Sequence, residues 1–324
     1  MDNHTRIYVA GHSGMVGSAL VRALQRRGHT RIIERTSQVL DLTRQAEVEA
    51  LFASERPDYV IDAAARVGGI LANKTYRADF IYTNLQIQNN LLNASYRIGV
   101  KKLLFLSSSC VYPRACPQPM REEHLWTGVP EPTNEPYAVA KLAGMSMCRA
   151  YNEQHGTRFV SVIPTNLYGP NDNYDPEQSH VMASMIRKFH IAKTQKSPTV
   201  ELWGTGTPRR ELMYVDDAAD AALHVMDTYD GNDPVNIGVG ADCTIRELAE
   251  TVASVVGYSG ILTFDATKPD GSPQKLLDCT RLTALGWQPP TGLADGIARA
   301  YQWYLQSPYC ADVTTTSTRP ASKE

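Results

Sequence analysis

Ala10-Gly11-His12-Ser13-Gly14-Met15-Val16-Gly17 joins an apolar stretch, Arg6 to Ala10, to an apolar-periodic run from about Met15 to Arg27, and its glycines fall at every third position. Strand, glycine turn and helix in that order make a βα unit. Without Cβ atoms at the turn, backbone N–H groups can approach a pyrophosphate at the positive end of the helix, which a bulky residue at Gly11 or Gly14 would block. The bland alternative is a tight turn whose glycines only pack helix on sheet. The strand before and the helix after favour the dinucleotide reading.

Outward from this turn, Arg31 to Glu34 reads as a second strand and Thr43 as the cap of a helix running to about Ser54. Tyr59-Val-Ile-Asp62 follows Pro57 as a short buried strand, Tyr76 to Ile98 is a long helix, and Lys102-Leu-Leu-Phe-Leu-Ser107 is a fourth strand. Strands separated by helical crossovers predict an α/β fold with a Rossmann-like, doubly wound parallel sheet. After Pro164 the rhythm weakens. Gly169-Pro170, Pro176, Pro198 and Pro208 separate short pieces such as Val200 to Trp203 and Val235 to Ile237, mixed with helices near His180 to Thr194 and Ile245 to Val256. The expected organisation is a dinucleotide-binding domain over 1–168 and a smaller α/β substrate-binding domain over 169–310 that returns at least one strand or helix to the first. A disordered tail rich in Thr, Ser and Pro is expected over 311–324.

The 324 residues are 43% hydrophobic and carry a formal net charge of -2, from 32 basic and 34 acidic side chains. With no basic block, that balance leaves no footprint for a nucleic-acid backbone or an anionic membrane. No window reaches the ~18 unbroken apolar residues of a membrane span, and the N-terminal residues run into a strand without an apolar leader, so a cytoplasmic protein is expected. Cys110, Cys116, Cys148, Cys243, Cys279 and Cys310 are scattered without CxxC spacing, which suggests free thiols and no metal site.

The second strand ends at Glu34-Arg35, where an acid would bind a ribose 2′-hydroxyl and an arginine would tolerate a 2′-phosphate. Arg35 can pair with a phosphate and stack on adenine, which favours NADP, while two solvated strand-end charges remain the alternative. Asp41, followed by Leu42, is either a helix-start residue or an adenine contact. Ser107-Ser-Ser-Cys-Val-Tyr112 follows the fourth strand, and Tyr137-Ala-Val-Ala-Lys141 opens a helix. Tyr137 and Lys141 at i, i+4 share one helical face. At ~4 Å and an effective dielectric of ~20, the ammonium would favour phenolate by at most about 4 kcal/mol, so Tyr137 is expected to work near neutral pH. A serine hydroxyl at the strand end would bind the same carbonyl or alcohol that the phenol protonates.

These residues resemble the extended short-chain dehydrogenase/reductase family. With Thr133-Asn-Glu-Pro-Tyr-Ala138, Pro164-Thr-Asn-Leu-Tyr-Gly-Pro170, Trp203-Gly-Thr-Gly-Thr-Pro208 and Lys268-Pro-Asp-Gly-Ser-Pro273, they resemble its GDP-L-fucose synthase branch, from about Arg6 to Leu305. The resemblance implies conversion of GDP-4-keto-6-deoxy-D-mannose to GDP-L-fucose, by epimerisation at C3 and C5 and reduction of C4 with NADPH. It makes Cys110 and His180 the acid/base pair and Tyr137 the proton donor. Lys141 tunes the phenol and holds the nicotinamide ribose, and Ser108 binds the carbonyl oxygen.

The resemblance also implies cofactor contacts from Gly11, His12, Ser13, Gly14, Met15, Val16, Gly17, Arg35, Asp41, Leu42, Ala63, Ala65, Leu106, Ser107, Lys141, Pro164, Asn166, Leu167 and His180. Substrate contacts are implied for Ser108, Cys110, Asn166, Lys188, Trp203, Arg210 and Asp270. Read alone, Cys110 is a strand-end thiol of the kind that usually fills a core, His180 a helix cap or surface residue, Trp203 a core residue and Lys188 a solvated charge. The family commonly has arginine at Ser13 or at Lys188; Ser13 weakens the case for a 2′-phosphate contact from the glycine loop, and Lys188 gives a single-point rather than a forked phosphate grip. The helices near 76–98 and 137–155 resemble the dimer-forming pair of the superfamily, implying a homodimer. The rival function is an NAD-retaining nucleotide-sugar 4-epimerase or dehydratase. A non-catalytic NADP-binding module is a second rival, against which Tyr137 and Lys141 both stand.

Overall fold

Ile7 and Val9 face one side of the first strand and Tyr8 and Ala10 the other, and all four are buried because the strand lies inside a sheet covered on both faces. The computed structural model describes residues 1–176, 179–268 and 270–310. The first half runs β1 (Ile7–Ala10), α1 (Met15–Arg26), β2 (Ile32–Ile33), α2 (Gln45–Glu55), β3 (Tyr59–Asp62), α3 (Ile70–Thr75), α4 (Arg77–Ile98), β4 (Lys102–Leu106), α5 (Glu135–His155) and β5 (Phe159–Pro164). The second continues through β6 (Asn166–Tyr168), α6 (Val181–Thr194), β7 (Thr199–Trp203), β8 (Arg209–Arg210), β9 (Leu212–Tyr214), α7 (Val215–Thr228), β10 (Val235–Ile237) and β11 (Cys243–Thr244). It ends with α8 (Ile245–Val256), β12 (Ile261–Asp265), β13 (Gln274–Lys275), α9 (Thr280–Ala284) and α10 (Leu293–Gln306).

Among the described residues the central sheet has six parallel strands in the order β10-β5-β4-β3-β1-β2. This is the expected doubly wound sheet. Strand order reverses between β1 and β3, and the crevice beyond their carboxyl ends is where such a sheet takes its ligand. α1 and α7 cover one face, and α2, α4 and α5 cover the other. Leu20 and Leu24 of α1 are fully buried, and each contributes roughly 1.5–3 kcal/mol of transfer free energy. β10, drawn from the second half of the chain, forms the sheet edge beside β5.

The second half builds small sheets from β7 with β12, from β8 with β11 and β13, and from β6 with β9, and α6, α8 and α10 share a separate core against them. Glu211, fully buried between β8 and β9, ties the two halves. One carboxylate oxygen accepts from Val239 N at 2.7 Å and Gly240 N at 2.8 Å, and the other from Leu277 N at 2.8 Å. Its backbone oxygen accepts from Thr165 Oγ1 at 3.3 Å and Asn166 Nδ2 at 3.2 Å.

One expected helix start is corrected. Thr43 does not cap α2, which begins at Gln45 with Arg44 at the cap position. The Thr43 N–H and hydroxyl both donate to Asp41 Oδ1, at 2.9 and 2.7 Å, so a local Asx turn takes the groups that a cap would have used. The tail expected over 311–324 lies outside the described residues. Among the described residues no helix is long and apolar enough to cross a membrane.

A Cβ on Gly17 would lie 2.0 Å from Gly11 O and 2.5 Å from Gly11 C, backbone atoms that cannot swing aside, whereas one on Gly14 would meet nothing nearer than 3.5 Å. We expect Gly17→Ala to destabilise the ligand-free protein by roughly 1–3 kcal/mol as overpacking does, and Gly14→Ala by less than about 1 kcal/mol. Circular-dichroism melts of the two variants provide the check.

Candidate active site

Past β4 the chain keeps the sheet register for one more residue, Ser107, whose N–H donates to Val162 O at 2.8 Å. Ser108 is extended, and its Oγ accepts from Cys110 N at 3.3 Å, closing a single 3-10 turn over Ser109–Val111. The turn leaves Ser108 and Cys110 half-buried at the rim of the sheet. α5 packs over it. Pro136 sits in the first turn of α5, where its missing N–H costs nothing, and Tyr137 next to it is hydrogen-bonded to Ser108. Burial pushes the Tyr137 phenol up, Cys110 and Asp62 add to that, and the Ser108 bond opposes it.

Lys141, 3% exposed, donates from Nζ to Leu106 O at 2.8 Å and lies 4.8 Å from the Phe105 ring centroid. Burial lowers its pKa, against the carboxylate of Asp62. The expectation that Tyr137 works near neutral pH is therefore corrected: burial raises the phenol, and the Lys141 ammonium is engaged by Leu106 O. Helical spacing put the two on one face, but the strand-end carbonyl captures the ammonium.

His180 holds the cap position of α6, with its backbone oxygen accepting from Ser184 N at 2.9 Å, while its side chain makes no cap bond. His180 is exposed as a residue, while desolvation of its ring by the surrounding protein lowers the ring's pKa. Ser108, Cys110 and Tyr137 thus stand together, and among the described residues the His180 ring is hydrogen-bonded to none of them.

The residues at the crevice fit a dinucleotide. Gly11 has φ +78, and a Cβ there would lie 2.7 Å from Ala63 O. No side chain caps α1, so its positive end is open to a phosphate. Among the described residues His12 Nδ1 and Ser107 Oγ are buried without hydrogen-bond partners, polar atoms placed for a ligand to satisfy. Ser13 is exposed, and Met15 and Val16 are half-buried at the helix start. Ala63 and Ala65 follow β3, Leu106 ends β4, Pro164 ends β5, and Asn166 and Leu167 open β6, so all of these lie at carboxyl ends of strands or just beyond. Arg35 pairs with Glu55 and donates to Glu34 O at 2.8 Å, so a 2′-phosphate would compete with Glu55 for it. Asp41 is engaged with Thr43, and Leu42 O accepts from Asn90 Nδ2 at 2.9 Å.

In the second half of the chain, Trp203 is 69% exposed and carries Lys268 Nζ at 5.7 Å from its ring. It is not a core residue. Lys188 donates to Glu201 O, and Arg210, half-buried, donates from Nη1 to Arg209 O at 2.8 Å. Asp270 accepts from Thr205 N at 2.7 Å and Thr205 Oγ1 at 2.9 Å, one oxygen each, so it staples the loop after Trp203.

The sequence reading missed Lys268, Asp62 and Asp172. A carboxylate closing the apolar run Tyr59-Val-Ile-Asp62 was the available signal for Asp62. Asp172 precedes His180 in the loop between β6 and α6. It is 4% exposed, one oxygen accepts from Asn173 N at 2.7 Å, and the other has no partner among the described residues. Burial raises its pKa from 3.8 to about 7.

The chain belongs to the NAD dependent epimerase/dehydratase family, whose model matches residues 7–238. Among particular relatives, it is 55% identical over 306 residues to GDP-L-fucose synthase 1 of Arabidopsis thaliana, covering 94% of this chain and 95% of the relative. It is 52% identical over 311 residues to GDP-L-fucose synthase of Escherichia coli (strain K12), with 93% and 97% covered. The crystal structure of a GDP-L-fucose synthetase from Naegleria fowleri bound to NADP superposes with a TM-score of 0.89 at 31% identity, covering 94% of each chain.

Because the folded pKa of Asp172 lies above its unfolded value of 3.8, the native state binds the extra proton between the two, and stability falls as pH rises from about 4 to about 7. We expect Asp172→Asn to gain on the parent across that window by about 1.4 kcal/mol per pH unit at most, and no further above it. Urea midpoints at pH 4, 6 and 8 measure this.

Proposed function

We propose that the protein converts GDP-4-keto-6-deoxy-D-mannose to GDP-L-fucose, inverting C3 and C5 and then reducing C4 with NADPH. The observation that carries this reading is the grouping of Ser108, Cys110 and Tyr137 at the end of β4, a hydroxyl, a thiol and a phenol able to surround one carbonyl. The names of the relatives from Arabidopsis thaliana and Escherichia coli support it.

C3 and C5 both flank the C4 carbonyl, so polarising that one ketone acidifies both C–H bonds. Ser108 and Tyr137 donate to the carbonyl oxygen. Cys110 and His180 act from opposite sides of the ring, and the lowered pKa of His180 leaves its imidazole neutral and basic at pH 7. The raised pKa of Tyr137 keeps its proton on until the C4 oxygen takes it. When bound, NADPH supplies the reducing equivalent at C4. Gly11 to Gly17 hold its pyrophosphate, Lys141 its nicotinamide ribose, and Arg35 exchanges Glu55 for the 2′-phosphate. Ala63, Ala65, Leu106, Ser107, Pro164, Asn166 and Leu167 line the rest of that crevice. Lys188 and Arg210 neutralise the substrate diphosphate, Trp203 offers a stacking face, and Asp270 holds the Trp203 loop in place.

Residues 1–168 form the cofactor domain in this reading, and 169–310 mainly form the substrate domain. The reaction runs in the cytoplasm, in keeping with six cysteines that are all free. Two copies pair through α4 and α5, which pack together and leave Tyr82 63% and Val139 38% exposed on their outer side. We expect Tyr82→Glu to yield a monomer by analytical ultracentrifugation.

In deuterated water, the protein with GDP-4-keto-6-deoxy-D-mannose should place deuterium at C3 and C5 without NADPH, and adding NADPH should then yield GDP-L-fucose. Cys110→Ser should slow the exchange at least tenfold, and Tyr137→Phe should slow C4 reduction by roughly 100-fold or more. Tightly held NAD with no consumption of NADPH would point to the recycling epimerase or dehydratase instead.

A further inference from the structure

We propose that Asn236 of β10, through its bond to Tyr112, is a positioning residue for Cys110, fixing from the edge of the sheet the turn that carries the thiol. The inference rests on the acid/base role given to Cys110 above and adds to it a residue from a different strand. Asn236 has no exposed surface. Its neighbours Val235 and Ile237 join the core under α1 and α7, so strand alternation turns Asn236 to the other face, in register with Ile163 of β5, whose side chain belongs to the apolar core there. A buried amide at such a position is costly unless its polar atoms are answered. The amide Nδ2 donates to Met120 O and to Asp278 O, both at 3.0 Å, which uses both of its hydrogens. Oδ1 is left as the acceptor, and the Tyr112 hydroxyl donates to it at 2.7 Å. The Asn236 backbone N–H donates to Glu122 Oε1 at 3.0 Å. One residue thus gathers the chain as it leaves the turn at Tyr112, the segment Met120 to Glu122 that follows, and Asp278 in front of α9.

These bonds bear on Cys110 because the turn cannot hold itself. It is a single 3-10 turn, in which Val111 N donates to Ser108 O at 3.1 Å and Tyr112 N reaches Ser109 O only at 3.5 Å. Its orientation is set by what fastens its two ends. At the front, Ser107 keeps the register of the sheet through Val162 O. At the back, Tyr112 lies two residues past Cys110, 3% exposed, in one apolar core with Val111 and Met120. Packing alone leaves its ring free to slide, and the bond from its hydroxyl to Asn236 fixes the far end. The same frame reaches the second half of the chain. Met120 N donates to Leu276 O at 2.7 Å and Asp278 N to Met120 O at 2.8 Å, while Leu277 N is a donor to Glu211. Lys275, two residues earlier, is in register with Arg210, so the segment that Asn236 fastens beside the turn continues into the strand pair that holds a cation proposed for the substrate diphosphate.

The test is a double-mutant cycle between Tyr112→Phe, which removes one hydroxyl, and Asn236→Ser, which withdraws its acceptor. Alkylation of the ligand-free protein by iodoacetamide is followed peptide by peptide by mass spectrometry, with buried Cys148 and half-buried Cys243 as references for general loosening. We expect Cys110 to react at least about threefold faster in each single variant relative to both references, and no faster in the double variant than in Asn236→Ser alone. With GDP-4-keto-6-deoxy-D-mannose in deuterated water, exchange at C3 and C5 should lose at least about fivefold in kcat, while the KM for the GDP-sugar stays within about twofold. A Cys110 rate unchanged against the references, single effects that add in the double variant, or a loss carried by KM overturns the proposal. Should one single variant not fold, the other carries the alkylation and kinetic measurements with the same expected and overturning results. If the native protein exchanges neither C3 nor C5, the proposed reaction fails, and alkylation of Cys110 still judges Asn236.

Discussion

Backbone pressed against backbone at the exit of β1 sets the geometry of everything around it. Gly17 in the first turn of α1 lies against Gly11, and Gly11 in turn against Ala63 beyond β3, each too close for a methyl group between them. The helix can leave the strand only at this angle. Its uncapped positive end is consequently aimed into the crevice where strand order reverses. The same pinch brings the exit of β3, and with it Asp62, beside the exit of β1. The cofactor cradle and the electrostatics behind the catalytic turn are thus consequences of one contact.

Inside that frame, desolvation is the largest influence on the ionisable groups. It raises Tyr137 and Asp62, lowers Lys141 and His180, and in each case comes first among the causes. Pairing only moderates it. Asp62 and Lys141 each oppose the other's neutralisation, whereas surface pairs such as Arg44 with Glu47 are solvated and contribute little. A sheet buried on both faces makes a strand-end charge expensive, and the chain keeps one in Asp62, opposed by the charge of Lys141 from α5.

That sheet also explains what could be read in advance. Strands covered on both faces must be apolar at successive positions, so Tyr59-Val-Ile-Asp62 and Lys102 to Leu106 stood out without an alternating pattern, and the glycine turn named their partner. Helix α5 was legible through Tyr137 and Lys141, yet the side-chain target of Lys141 was not. Spacing reports which residues share a face, and says nothing of the carbonyl of Leu106, 35 positions away. Thr43 failed as a cap for the opposite reason, since a competitor two residues off, Asp41, won locally. Glu211, and the bond from Thr205 to Asp270, were beyond reach because the partners come from loops distant in sequence.

The directions of these shifts also apportion the proposed chemistry. A phenol whose pKa is raised is a poor base at neutral pH and a reliable acid, so Tyr137 suits the final protonation and is unsuited to removing protons from C3 or C5. In the proposed chemistry proton abstraction goes instead to groups such as His180, whose pKa desolvation lowers, leaving a neutral imidazole at pH 7. Cys110, half-buried on the turn after β4, stands beside Tyr137. In the proposed reaction, a phenol that holds its proton and an imidazole free to take one would let a single carbonyl be enolised first and reduced afterwards.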